Sequence, residues 1–203
     1  MKTFKVLSLL LSYPQAEWVD ELALMETLLV QEQALNGAAK QQLAPLFQSL
    51  RAETLLEAEQ TYVGTFDRNP SHSLHLFEHI HGESRDRGTA MVNLMEEYRK
   101  HGLVMGADEL PDYVPLFLEY LSQRPQQEAL DMLGEAVDVL ALIGRKLKAN
   151  HSPYHTVFGV LEGMSPVAAK PANISTASSR PVGRIARPIP PLATKIFSCF
   201  VRP

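Results

Sequence analysis

The sequence predicts an all-α fold: a compact, single-domain helical bundle over residues 1–164, followed by a disordered tail over residues 165–203. Helical periodicity is clearest where apolar residues are spaced by three and four and so share one helix face: Leu130, Leu133, Val137, Leu140, Gly144 and Leu147. No segment alternates apolar and polar residues between hairpin turns, as strands would. No repeat of about 20–50 residues is visible, which disfavours a solenoid.

The first predicted helix covers residues 3–12. Its apolar run follows Lys2 and Lys5, as in a secretion signal. The run has only about six residues, however, and no small-residue cleavage site follows it. We therefore predict an ordinary helix with one buried face. Further helices are predicted near residues 15–35, 38–50 and 53–66.

A strongly amphipathic helix is predicted over residues 83–101. Gly102 follows it and suits the position after a helix C-terminus, where a left-handed backbone is common. Its apolar stripe consists of Met91, Leu94, Met95 and Tyr98.

Two more helices follow in the sequence. One runs from Asp112 to Gln123, with Asp112 as a good N-cap and Pro115 in the first turn, where proline is tolerated. The other carries the long apolar stripe, with Pro125 in its first turn and Asn150 at its end.

Charge divides the chain sharply. Residues 1–164 contain all 23 acidic residues and 13 of the 19 basic residues, a net charge of −10. Residues 165–203 contain six basic and no acidic residues, together with seven of the 14 prolines, which predicts disorder. An acidic body repels nucleic acid and favours a basic partner.

Membrane insertion and disulfide formation are both disfavoured. No apolar run approaches the roughly 20 residues that cross a bilayer. The single cysteine, Cys199, allows no intrachain disulfide, which fits a reducing compartment such as the cytoplasm. We predict a cytoplasmic protein that does not insert directly into the membrane.

Four histidines close in sequence raise the question of a metal site. His72, His75, His79 and His81 lie within ten residues, and His75 and His79 share a helix face. The metalloprotease pattern would need a glutamate directly after His75, and leucine stands there. Ser84 lacks the G-x-S-x-G elbow of a nucleophilic serine. We predict no catalytic residue and no metal site, and keep a metal-dependent hydrolase using these histidines as the alternative of a different class.

Aromatic and charged side chains suggest a binding role instead. Phe66, Phe77, Tyr113 and Tyr120 would line a groove with carboxylates at its rim, which suits a peptide with apolar and basic residues. The alternative is that these aromatics are plain core. Arg85, Asp86 and Arg87, beside Glu78 and Glu83, would form charge-assisted hydrogen bonds that fix a helix start and a loop.

Two long motifs resemble one known family, with shorter matches at residues 10–14, 62–67 and 90–94. The motifs are LFEHIHGESRDRG at residues 76–88 and ELPDYVPLFLEYLS at residues 109–122. They resemble the delta subunits of respiratory nitrate reductases, the NarJ-type molybdenum cofactor assembly chaperones. The likeness covers residues 1–164, and the basic, proline-rich tail departs from the family pattern.

The resemblance implies an all-helical chaperone that is not itself an enzyme and binds no cofactor permanently. Its partner would be the N-terminal, leader-like segment of the catalytic (alpha) subunit of nitrate reductase in anaerobic nitrate respiration. It would hold that subunit while the molybdenum cofactor is inserted, before membrane attachment. A chaperone of a different molybdoenzyme is the alternative within the same class.

The resemblance and the charge pattern together name candidate peptide contacts. Glu109, Pro111 and Asp112 match a loop that the wider chaperone group uses in function. Because burying an unpaired charge is costly, we expect the carboxylates at a groove rim or paired with Arg85 and Arg87. The full candidate set is Phe66, Asp67, Phe77, Glu78, His79, Glu83, Arg85, Asp86, Arg87, Glu109, Pro111, Asp112, Tyr113, Glu119 and Tyr120.

Overall fold

The computed structural model describes residues 1–32, 35, 37–82, 84–105 and 109–170. Ten α-helices and no strand occur in these ranges. They are α1 (Lys2–Leu10), α2 (Ala16–Val19), α3 (Leu22–Gln31), α4 (Gly37–Ala52), α5 (Leu55–Tyr62), α6 (Leu76–His81), α7 (Asp86–Lys100), α8 (Val114–Ser122), α9 (Gln126–Ala149) and α10 (His155–Met164). A π-helical turn, Val63–Asp67, directly continues α5, and a 3₁₀ turn, Pro70–His72, follows it.

The core is built around two helix pairs. The 24-residue helix α9 packs against α10, which also packs against α4, and α1 packs against α8. At the α9–α10 contact, a Cβ placed on Gly144 would lie 2.7 Å from the Cβ of Phe158. The absence of a side chain at Gly144 therefore lets the two helices approach closely. All of the predicted stripe on α9 is buried apart from Leu130, which is partly buried.

The all-α prediction is confirmed, with local differences. The helix predicted over residues 15–35 is two helices, α2 and α3, and α6 and α10 had no helix of their own in the prediction. Gly102 has φ +77°, and the next residue, Leu103, donates its N–H to the Tyr98 carbonyl at 3.0 Å. This is the predicted glycine termination of α7.

The predicted N-cap role of Asp112 is wrong. Tyr113 occupies the N-cap position of α8, and Pro115 lies in the first turn as expected. The Asp112 side chain points instead to the start of α6, where it accepts the Phe77 N–H at 3.0 Å. A partner 35 residues earlier in the chain has displaced the local cap.

The described chain ends beside α9. Val167 lies against Gly134, and the Lys170 N–H donates to the Asp138 carboxylate at 2.5 Å. The division into a domain over residues 1–164 and a tail stays a prediction, because most of the tail, including Cys199, lies outside the described residues. Within the described part, no helix combines the length and hydropathy that crossing a bilayer requires.

Candidate functional site

A cleft opens where the chain leaving α1 passes over α5 and the π-helical turn. Its volume is about 380 Å³, and we call it the Tyr13 cleft. Two of its apolar side chains are exposed to solvent, Tyr13 at 42% and Leu56 at 63%. The lining residues are Tyr13, Leu56, Glu59, Gln60, Val63 and Arg68.

The floor of the cleft is held by hydrogen-bonded tyrosines. Tyr13 meets Tyr62 edge to face, with ring centroids 5.6 Å apart. The Tyr62 hydroxyl donates to the Leu11 carbonyl at 3.0 Å. Because its single proton is used there, its oxygen accepts the Tyr113 hydroxyl at 2.9 Å. These bonds connect the end of α1, the end of α5 and the start of α8.

Negatively charged side chains raise the pKa values of the cleft tyrosines. Desolvation and the negative charges of Glu59 and Asp67 raise the pKa of Tyr13. Burial and the charges of Glu109 and Asp67 raise the pKa of Tyr113. Three carboxylates therefore contribute negative charge in the region of the two rings, and Glu59 is the one that lines the cleft. Arg68 lines the same cleft and offsets part of their charge.

The π-helical turn contributes to the cleft wall. Arg68 donates its N–H to the Val63 carbonyl, five residues back, at 3.1 Å. Phe66 is buried within this turn, while Asp67 and Arg68 are exposed. π-Helical turns are rare and are frequent at functional sites.

Asp112 fixes the loop that carries Glu109 and Tyr113. Its side chain is fully buried and accepts the Phe77 N–H at 3.0 Å, with its other oxygen 3.3 Å from His75 Nδ1. Backbone bonds reinforce the contact: the Leu76 N–H donates to the Asp112 carbonyl at 3.0 Å. The rim position expected for Asp112 is therefore wrong, and the arginines of α7 are not its partners.

Pro111 belongs to the same fixed loop. Its residue is buried, and its carbonyl accepts the Tyr98 hydroxyl at 2.9 Å. Glu109, by contrast, is exposed. The loop thus has a rigid inner side and presents Glu109 outward.

Three of the predicted groove aromatics are core residues instead. Phe66 packs on Tyr62 and Tyr154, and Phe77 and Tyr120 are also buried. The groove prediction is wrong for these three rings, and the core alternative holds. Tyr113 is partly exposed and contacts the floor of the Tyr13 cleft.

The predicted charged contacts around α6 and α7 are divided between ion-paired and exposed side chains. Arg87 donates to Glu78 at 3.1 Å, which is the expected pairing, while Arg85 and Asp86 are exposed. Glu119 is paired with Lys5 of α1. The predicted contact Glu83 lies outside the described residues.

Three of the four histidines, His72, His75 and His79, have separate hydrogen-bonding partners. His72 is buried between the Thr65 carbonyl, 3.0 Å from Nδ1, and Asn150, 2.8 Å from Nε2. His79 Nε2 lies 2.9 Å from the Ser73 carbonyl. Among the residues that the structure describes, no three histidine, cysteine, aspartate or glutamate side chains converge as metal ligands.

Sequence reasoning predicted only part of this site. Asp67, Glu109 and Tyr113 were predicted contacts, and of these Tyr113 bonds to Tyr62 on the cleft floor, whereas none of the six lining residues was predicted. The signal was in the matches at residues 10–14 and 62–67, which contain Tyr13 and Val63 and flank the cleft.

Fold and site together define a class: an all-helical protein with a small surface cleft lined by aromatic, aliphatic and charged side chains. The family model described as "Nitrate reductase delta subunit" matches residues 31–158. The chain belongs to this nitrate reductase delta subunit family, as the motifs predicted.

Similar proteins carry chaperone names. The chain is 40% identical over 157 residues to "Nitrate reductase molybdenum cofactor assembly chaperone NarJ" of Escherichia coli K12, covering 77% of this chain and 66% of that protein. It is 42% identical over 163 residues to "Probable nitrate reductase molybdenum cofactor assembly chaperone NarW" of the same strain, covering 79% and 67%. A Bacillus subtilis protein named as a probable NarJ is 31% identical over 162 residues, covering 78% and 85%. The chain thus spans about two thirds of the length of the E. coli relatives.

Proposed function

We propose that this protein is an assembly chaperone of respiratory nitrate reductase that acts by binding a polypeptide and performs no covalent chemistry. Its client is the N-terminal, leader-like segment of the catalytic subunit. The observation that carries the proposal is the Tyr13 cleft, where exposed apolar side chains lie beside carboxylates. The names of the relatives support the same role.

The chemistry of the cleft suits an amphipathic, basic segment. Apolar client side chains would contact Tyr13 and Leu56, which are exposed to solvent in this structure. Client arginine or lysine side chains would pair with Glu59, Asp67 and Glu109. Such pairing gives orientation and association rate more than raw affinity.

The size of the cleft limits what enters it. A volume of about 380 Å³ is near the lower end of the usual range for ligand pockets. It therefore accepts one or two anchoring side chains, and the rest of the client segment would lie across the adjoining surface. The exposed Leu55, the chain neighbour of Leu56, extends the apolar area available to it.

Binding at the client's N-terminal end leaves the rest of the catalytic subunit accessible. In this proposal the chaperone holds the catalytic subunit in the cytoplasm while the molybdenum cofactor is inserted into that subunit. Insertion takes place before the catalytic subunit attaches to the membrane. The chaperone itself keeps no cofactor.

Calorimetric titration with a synthetic N-terminal segment of the catalytic subunit tests this function. We expect binding in the micromolar range, and a several-fold weaker affinity for Glu59→Gln because a partner of the client's cation is lost. Glu96→Gln is the matched control, since Glu96 is an exposed carboxylate on α7 that does not line the cleft. Absence of binding by the wild-type chain, or equal losses in both variants, would contradict the proposal.

A further inference from the structure

We propose that the chain's own C-terminal segment, residues 171–203, occupies the Tyr13 cleft when no client is bound. The inference rests on the proposed function in that it assigns the same cleft to client and segment. It goes further because the protein would inhibit itself: the C-terminal segment and the client would compete for the Tyr13 cleft.

Charge supports this occupant. Residues 171–203 contain five basic and no acidic residues, while all 23 acidic residues precede them. Glu59 lines the cleft itself. The charges of Glu59 and Asp67 raise the pKa of Tyr13, and those of Glu109 and Asp67 raise the pKa of Tyr113. A cationic segment is the electrostatic complement of this surface, in spite of Arg68.

The segment contains the two kinds of side chain, cationic and aliphatic, that suit the lining of the cleft. Arginines and aliphatic residues follow one another closely: Arg184, Ile185, Arg187, Ile189 and Leu192. The cleft offers the same two chemistries side by side, apolar surface on Tyr13 and Leu56 and a carboxylate on Glu59. One arginine and one neighbouring aliphatic side chain would satisfy it.

The segment is long enough to reach the cleft from any direction. The described chain ends at Lys170, which is held beside α9 by Asp138. The following 33 residues span up to about 100 Å when extended. A globular body of this size is about 40 Å across.

Attachment to the same chain makes weak binding effective. An intramolecular segment acts at an effective concentration in the millimolar range, so an interaction too weak to detect between separate molecules still fills a large share of the clefts. The apparent affinity for a client then falls by the fraction of clefts left open. A client must therefore be present above this weakened apparent Kd to displace the segment.

Paramagnetic NMR on the full chain tests occupancy without any client. A nitroxide is attached at position 186 of an Ala186→Cys, Cys199→Ser variant, which holds a single thiol. We expect broadening of the amide signals of Tyr13, Leu56 and Glu59 relative to the diamagnetic label. The broadening should diminish in about 0.5 M salt, where charge attraction is screened.

The matched variants carry Arg180→Gln, Arg184→Gln and Arg187→Gln together, or Glu59→Gln. Each should reduce the broadening at the cleft, whereas Glu96→Gln should leave it unchanged. Unaltered amide signals throughout the cleft in the labelled wild-type background, or broadening spread evenly over the surface, would overturn the inference.

Client titration of the same full-length chains separates this inference from the proposed function. Replacing the three arginines should tighten binding of the catalytic-subunit segment about two- to ten-fold, because the competitor is weakened. Broadening at the cleft with no client binding would sink the proposed function and leave self-occupancy standing. Client binding that the triple variant leaves unchanged counts against self-occupancy alone.

Discussion

The Asp112 carboxylate is fully buried, and its partners come from the start of α6. Carboxylates are rarely buried unless they are paired, and this one receives a backbone N–H and contacts a histidine ring. The side chain therefore serves to hold the Glu109–Tyr113 loop against α6, and in the proposed function the client contact is assigned to exposed neighbours such as Glu109.

Replacing Asp112 by alanine should cost stability. The Phe77 N–H would lose its acceptor in a buried environment, so we expect the free energy of unfolding to fall by about 2–3 kcal/mol. Urea denaturation measures this directly. Glu109→Gln, in the same loop but exposed, should change stability by less than about 0.5 kcal/mol. A stable Asp112→Ala protein would remove the structural role.

His79 should make the fold sensitive to acid. Burial lowers the pKa of His79 below its ordinary 6.5, and the Lys146 ammonium acts in the same direction against the Ser73 hydrogen bond. Below about pH 6.5 the unfolded chain therefore gains a proton that the folded chain accepts less readily, so stability falls as pH drops. Urea unfolding at about pH 7.5 and about pH 5.5 should show a smaller loss for His79→Gln than for the wild type. Equal losses would show that other groups carry the acid sensitivity.

Side-chain roles were predictable only where partners are near in sequence. Gly102 ends α7 by donating its N–H to the Arg99 carbonyl, and the next residue, Leu103, donates to the Tyr98 carbonyl, a local termination that the sequence predicted. Asp112 binds a residue 35 positions away, and Tyr62 bonds to Leu11 across 51 positions. Local pattern carries no information about such pairs, which explains why both the cap of α8 and the cleft lining were missed.

At the scale of helices, Gly144 sets the distance between α9 and α10. An alanine Cβ there would lie 2.7 Å from the Phe158 Cβ, which real contacts do not permit. Gly144→Ala should destabilise the protein by about 1–3 kcal/mol because the helices must shift apart. Thermal or urea unfolding measures the effect.

Gly163 provides the control on the same pair of helices. It lies in α10, and a Cβ there would meet nothing within 4 Å. Gly163→Ala should leave stability unchanged or raise it by up to about 1 kcal/mol, since alanine favours helix. Comparable losses in both variants would mean that the close contact at Gly144 is not the cause.

Long helices were predictable and short ones were not. The stripe on α9 extends over five turns and identifies itself by period alone. Helix α6 has only six residues and depends on Asp112 for the N–H at its start. The predicted helix over residues 15–35 was interrupted at Asp20 and Glu21, where the apolar period gives no warning.

At the scale of the whole molecule, the uneven charge predicts how client binding responds to salt. An acidic body meeting a basic segment gains from long-range attraction, which added salt screens. Raising the salt concentration from about 0.05 M to about 0.5 M should weaken client binding at least several-fold, mostly through a slower association rate. Stopped-flow kinetics with a labelled client peptide measures this. Salt-independent association would mean that apolar contacts alone recruit the client.

The π-helical turn has a consequence for the kinds of sequence change this region tolerates. Its extra residue per turn sets the phase in which Phe66 faces inward and Asp67 outward. Losing one residue would rotate the following side chains by about 100° and exchange their environments. Substitutions at exposed positions such as Gly64 leave that phase intact, whereas a single-codon deletion does not. Variation among functional versions of this segment should therefore occur in residue type and not in length.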